Sequence, residues 1–129
     1  MKVIMTGGGT GGHIYPAIAI ADEIKKRFPD AEILFVGAKR GLEKTLVPDN
    51  GYPIKLIPVQ GFNRKNPLKN VEVLRDLKQG NKLSKQILKE FQPDVVIGTG
   101  GYASATVVKM AQKMHIPTYI HEQNAFPGV

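Results

Sequence analysis

The residues best equipped for chemistry open the chain. Met5-Thr6-Gly7-Gly8-Gly9-Thr10-Gly11-Gly12-His13 places five glycines and an imidazole between an apolar strand and an apolar helix. Glycines let bare backbone N–H groups approach an anion, and the helix beginning near Tyr15 directs its positive dipole end at the same point. A phosphate cradle with an imidazole at its mouth suits group transfer more than simple storage of a nucleotide. Two further polar clusters follow strands: Gly98-Thr99-Gly100-Gly101-Tyr102 and His121-Glu122-Gln123-Asn124. Each feature also has a plain structural reading. The second glycine run serves equally well as a tight strand-to-helix turn, and His13 and His121 as loop histidines that only make structural hydrogen bonds.

These clusters need a scaffold, and the hydrophobic pattern supplies one. Lys2 to Met5 is expected as strand one and Pro16 to Phe28 as a helix, with Ile18, Ala21, Ile24 and Phe28 on its apolar face and Pro16 placed early, where a missing N–H costs nothing. Glu32 to Val36 is expected as strand two, after which Gly37 turns the chain, and Ile54 to Ile57 as strand three. Pro58 to Pro67 reads as a loop. Apolar residues at Leu68, Val71, Leu74 and Leu77, then at Leu83, Ile87 and Phe91, predict two helices or one kinked helix broken at Gly80-Asn81. Val95 to Ile97 is strand four, Ala103 to His115 a helix, and Ile116 to Ile120 strand five. Short, nearly all-apolar strands alternating with helices describe an α/β domain with a Rossmann-like, doubly wound parallel sheet. In such sheets ligands gather outside the carboxyl ends of the strands, where all three clusters fall. If strands one, four and five are neighbours, the clusters share one cleft.

Composition narrows the function classes. With 129 residues, 42% of them hydrophobic, the chain can bury a core as one domain, spanning residues 1–129 without an internal linker or repeat. The absence of cysteine excludes disulfides and thiolate metal sites, and the three histidines lack ligand spacing, so no metal is expected. No apolar run is long enough for a bilayer span and no signal peptide precedes the glycine loop, which suggests a cytoplasmic domain. The net charge is +7, of which +5 lies between Asn63 and Gln92, where Arg64, Lys65, Lys69, Arg75, Lys78, Lys82, Lys85 and Lys89 face three acids. That segment suits an anionic membrane surface or acidic substrate, or is a solvated helix face. No recognition motif or aromatic platform supports a nucleic-acid partner.

Gly7, Gly9 and Gly12 satisfy the dinucleotide fingerprint G-x-G-x-x-G. The acidic residue that usually follows strand two to hold a ribose is missing, and Gly37-Ala38-Lys39-Arg40 stands there instead. NAD is disfavoured, while an NADP-binding module survives through Arg40.

Taken together, Gly8-Gly9-Thr10-Gly11-Gly12-His13, Gly98-Thr99-Gly100-Gly101-Tyr102-Ala103-Ser104 and His121-Glu122-Gln123-Asn124 resemble, in order and approximate spacing, the MurG family of bacterial glycosyltransferases. The resemblance covers essentially the whole chain. It implies the amino-terminal, acceptor-side half of a GT-B enzyme whose carboxyl-terminal donor-binding domain is not part of this sequence, so that this fragment alone would lack turnover. The implied reaction is inverting transfer of N-acetylglucosamine from UDP-N-acetylglucosamine to the muramoyl 4-hydroxyl of lipid I, an undecaprenyl-diphosphate-linked acceptor. The product is lipid II for peptidoglycan, made at the cytoplasmic face of the plasma membrane without a cofactor. The resemblance makes His13 the candidate base, with Glu122 second. Thr10, Gly11 and Gly12 would meet the donor and Asn124 its sugar, the two glycine loops with Gly100 and Gly101 would hold the acceptor diphosphate, and Tyr102 and Gln123 would contact sugar. The basic segment would then rest on anionic lipid. Ala105-Thr106 departs from the glycine and proline common in the family, leaving the helix entry there open. A split, dolichol-linked N-acetylglucosamine transferase subunit is a second reading, although its usual amino-terminal anchor is not seen.

Overall fold

A computed structural model describes residues 1–9, 11–39, 41–59 and 69–121. Five parallel strands, β1 (Lys2–Gly7), β2 (Glu32–Ala38), β3 (Ile54–Ile57), β4 (Val95–Gly100) and β5 (Thr118–Ile120), form one sheet in the order β3-β2-β1-β4-β5. The helices are α1 (Gly11–Arg27), α2 (Glu43–Asp49), α3 (Lys69–Phe91) and α4 (Tyr102–Lys113). Strand order reverses direction between β1 and β4, and the two glycine loops leave the sheet at that switch point.

Strand pleating sorts the core into two halves. Val3, Met5, Ile33 and Phe35 pack under Ile14, Ala17, Ile18 and Ala21 of α1 and Val47 of α2. Ile4, Leu34, Val36 and Val96 face the opposite way, against Ile87 and Leu88 of α3 and Val107, Val108 and Ala111 of α4. Covering both faces explains why the central strands carry no alternating polar residues.

Several expected boundaries shift. β1, β2 and β4 each extend to or through a glycine, because their ladder pairing continues there: Gly37 pairs with Leu56 and Gly7 with Gly100. Gly37 therefore lies within β2 rather than turning the chain. α1 starts at Gly11, not near Tyr15, so His13 lies in its first turn while Pro16 lies past it and offers no N–H to the Gly12 carbonyl. Ile18, Ala21 and Ile24 of the expected face do pack inward, joined by Ile14 and Ala17, but Phe28 is 55% exposed because α1 ends at Arg27, one residue before it. β5 begins at Thr118, after Pro117. The short helix α2 was not expected at all.

The region predicted to break at Gly80-Asn81 is one continuous helix. Gly80 is buried, and a Cβ there would come within 2.7 Å of Val59 Cγ1, so this glycine permits close packing and ends nothing. The packing face also turns relative to the expected one. Val73, Gly80, Ser84, Ile87 and Leu88 are buried, while Val71, Leu74 and Leu77 are exposed. Leu83 and Phe91 pack partly against the core. The expected loop from Pro58 onward falls largely outside the described residues.

Tyr52, next to β3, is tied to α1 by a 2.6 Å hydrogen bond from its hydroxyl to Asp22 Oδ1. Burial, then the Asp22 hydrogen bond and charge, push the phenol well above its ordinary range.

Candidate functional site

The two glycine loops touch backbone to backbone. The Gly8 N–H donates to the Gly100 carbonyl at 3.1 Å, and a Cβ on Gly101 would overlap the Gly8 carbonyl oxygen. Gly100 and Gly101 have φ of +113° and +98°, a region that disfavours side chains. Both glycines thus answer two demands at once, an unusual backbone turn and the nearness of the other loop. α4 follows directly, with Ala105 N–H donating to the Gly101 carbonyl at 3.1 Å, so the departure at Ala105-Thr106 leaves the helix entry intact.

His13 sits half-buried in this junction. Its Nδ1 lies 3.0 Å from the Thr99 carbonyl oxygen, and Thr99 Oγ1 donates to the His13 carbonyl at 2.5 Å. A carbonyl only accepts, so Nδ1 carries a proton, and in the neutral ring the lone pair is on Nε2. The ring also packs on Gly100, where an added Cβ would collide with it. Sequence position alone made His13 a neighbour of one loop; the fold clamps it between both.

The third cluster begins beside them. His121 N–H donates to the Gly98 carbonyl at 2.8 Å, bringing the end of β5 alongside β4. Strands β1, β4 and β5 are thus neighbours, and the first residue of the third cluster reaches the same end of the sheet. Tyr102, 65% exposed, stands at the start of α4. Gly11 and Gly12 occupy the first turn of α1, whose leading N–H groups have no partner within the helix. Thr10, Arg40, Glu122, Gln123 and Asn124 lie outside the described residues. Among the described residues no group of three potential metal ligands occurs.

Sequence reasoning missed Glu43. It is fully buried, accepting the Gly9 N–H on Oε1 at 3.3 Å and the Ala38 N–H on Oε2 at 3.2 Å. Gly8, Gly37 and Gly41 close around it so tightly that a Cβ on Gly8 or Gly41 would overlap the carboxylate and one on Gly37 the Cγ methylene. The only signal in the sequence was the glycines on either side, because the carboxylate comes five residues after β2 ends. Its position counts against the dinucleotide reading. An amide of the first loop that would face a pyrophosphate is already engaged by the Glu43 side chain, which also fills the space between the ends of β1 and β2.

The profile of the glycosyltransferase family 28 N-terminal domain matches residues 3–129. A UDP-N-acetylglucosamine–N-acetylmuramyl-(pentapeptide) pyrophosphoryl-undecaprenol N-acetylglucosamine transferase of Leuconostoc citreum is 55% identical over 129 residues, covering 100% of this chain and 35% of that protein. The protein of the same name from Thermoanaerobacter sp. is 57% identical, covering 100% of this chain and 35% of its own length. The crystal structure of Acinetobacter baumannii MurG superposes with a TM-score of 0.81 at 29% identity, over 99% of this chain and 36% of that one. The chain spans about a third of the length of the curated relatives it matches. With its two glycine loops meeting at the switch point, the chain belongs to glycosyltransferase family 28, as its N-terminal domain.

Proposed function

We propose that this domain is the acceptor half of an inverting transferase that moves N-acetylglucosamine from UDP-N-acetylglucosamine to the muramoyl 4-hydroxyl of a lipid-linked diphosphate acceptor. The observation that carries this reading is the clamp on His13 at the meeting of two glycine loops, a base with a fixed tautomer beside anion-binding backbone. Thr10, Gly11 and Gly12 would meet the donor and Asn124 its sugar; Gly100 and Gly101 would lie against the acceptor diphosphate, with Tyr102 and Gln123 near sugar. His13 Nε2 takes the proton of the 4-hydroxyl as that oxygen attacks the anomeric carbon. The bond from that carbon to the UDP oxygen breaks, its electrons leave on the diphosphate, and the α donor yields a β product. Glu122 is the second candidate for the base. Most of the nucleotide pocket would come from a further, carboxyl-terminal domain.

The relatives' names carry the substrates, and the crevice geometry carries the chemistry. The test is turnover of a soluble lipid I analogue by the complete transferase bearing this domain. His13→Ala should lower kcat by roughly 10²–10⁴-fold while donor binding persists. Unchanged kcat would remove His13 as base and shift the role to Glu122.

The same reading places the domain on a membrane. No helix among the described residues is long and apolar enough to cross one. On α3, Val71 and Leu74, 61% and 56% exposed, share a flank with exposed Arg75 and Lys78, and Lys82 and Lys85 continue it. An apolar strip edged by cations suits adsorption to anionic lipid, to which each basic residue contributes about 1 kcal/mol. Along α3, Ile87 is core and Phe91 packs partly against it, while Leu74 is exposed and free to meet lipid.

A further inference from the structure

Glu43 is costly where it stands. A carboxyl group removed from water loses solvation unless partners compensate, and a well-packed apolar side chain would fill the same space more favourably. Its two oxygens instead reach two separate segments, the loop after β1 through Gly9 and the end of β2 through Ala38. The chain gives up side chains at Gly8, Gly37 and Gly41 to admit it. Volume filling requires none of this, whereas fixing the direction of a backbone amide does.

We propose that Glu43 is a positioning residue for the transfer reaction: its buried carboxylate turns the Gly9 N–H inward and anchors the first glycine loop. The anchored loop divides into two functions. The Gly9 amide is committed to Glu43, and the ligand-facing N–H groups are those that follow, in the first turn of α1 at Gly11, Gly12 and His13. The carboxylate also excludes an anionic ligand from the β1/β2 side of the sheet. Ligand anions are thereby confined to the β1/β4 crevice, where His13 is clamped. Gly9, at φ +89° with open space around its Cβ position, has no packing reason to hold its conformation, so the hydrogen bond to Glu43 is what directs its amide. This proposal rests on the transferase reading.

The test compares Glu43→Gln and Glu43→Asp with the wild type in the complete transferase. Glutamine keeps the volume, but whichever way its amide is turned, an NH₂ group faces either the Gly9 or the Ala38 N–H, donor against donor. Two quantities are read: kcat/KM with a soluble lipid I analogue, and hydrogen exchange of the peptide spanning Met5 to His13. The expected result for Glu43→Gln is a loss in kcat/KM of roughly 10²-fold, with faster exchange in that peptide and unchanged exchange in peptides from α3 and α4. Wild-type kcat/KM in a folded Glu43→Gln variant overturns the proposal, even if the loop exchanges faster, because a filler role tolerates glutamine. If Glu43→Gln does not fold, Glu43→Asp decides: shortened by one methylene, it should show faster loop exchange and lower kcat/KM, and wild-type values for both overturn the proposal. If the wild type itself shows no transfer, the transferase reading fails, and exchange in the loop peptide alone decides whether Glu43 anchors it.

Discussion

Replacing Gly100 by alanine tests the junction of the two loops. Two costs add. At φ +113° an L side chain is strained by about 1–2 kcal/mol. The new Cβ also lands on the His13 ring, which must move and give up its hydrogen bond to the Thr99 carbonyl, about 1 kcal/mol more. The sum is about 2–3 kcal/mol. For a chain of 129 residues, with an unfolding entropy of about 2.1 cal/mol/K per residue, that corresponds to a fall in Tm of about 7–11 °C. Gly51→Ala is the matched control. Gly51 has φ +87° and nothing near its Cβ position, so only the backbone cost applies, about 4–7 °C. Thermal unfolding by circular dichroism measures both. The decisive step is the double variant: in a His13→Ala background the ring is gone, and Gly100→Ala should then cost no more than Gly51→Ala does. If Gly100→Ala and Gly51→Ala lower Tm equally with His13 present, the imidazole does not pack on Gly100 and the clamped-base geometry is wrong. Turnover in the complete transferase should follow the same pattern, falling steeply for Gly100→Ala and little for Gly51→Ala.

Other expectations follow from the same contacts. Gly101→Ala should destabilise more than Gly100→Ala, because its Cβ meets the backbone of Gly8, which cannot swing aside as a ring can; a smaller Tm loss than for Gly100→Ala would refute the backbone contact between the loops. Thr99→Val should remove the hydroxyl bond to the His13 carbonyl at a cost of about 1 kcal/mol and lower kcat more than it raises KM, with Thr99→Ser restoring both; an unaltered kcat would show that the clamp does not serve catalysis. The Tyr52 phenol is raised in the folded state above its ordinary value of 10.0, so the stability it contributes is fully present below pH 10 and lost as pH climbs through the folded value. The Tm advantage of wild type over Tyr52→Phe should therefore shrink above pH 10, and an advantage that grows would contradict the Asp22 hydrogen bond. Neutralising Lys78, Lys82 and Lys85 together should weaken adsorption to anionic vesicles at low salt, and unaffected adsorption would place the membrane face elsewhere.

The sequence by itself determined the class of fold and the end of the sheet where ligands meet it. Short apolar runs alternating with longer helical patterns read as strands covered on both faces, and glycine loops that follow such strands and precede helices lie at their carboxyl ends. Motif order and spacing also sufficed to indicate the family, because three polar clusters in sequence constrain far more than one fingerprint does. Strand order was not readable from any local pattern, since adjacency of β1 and β4 depends on how α3 crosses the sheet. The exposed strip Val71–Leu74 shows the same limit: helical periodicity reveals that apolar residues recur, but which face turns inward is set by Gly80 seating against Val59. Only the tertiary structure decided the tautomer of His13, because its partner Thr99 is 86 residues away. Only the tertiary structure could find Glu43, since a buried carboxylate and the glycines that admit it become neighbours through chain folding, and no spacing rule links Gly8 to a residue 34 positions beyond Gly9.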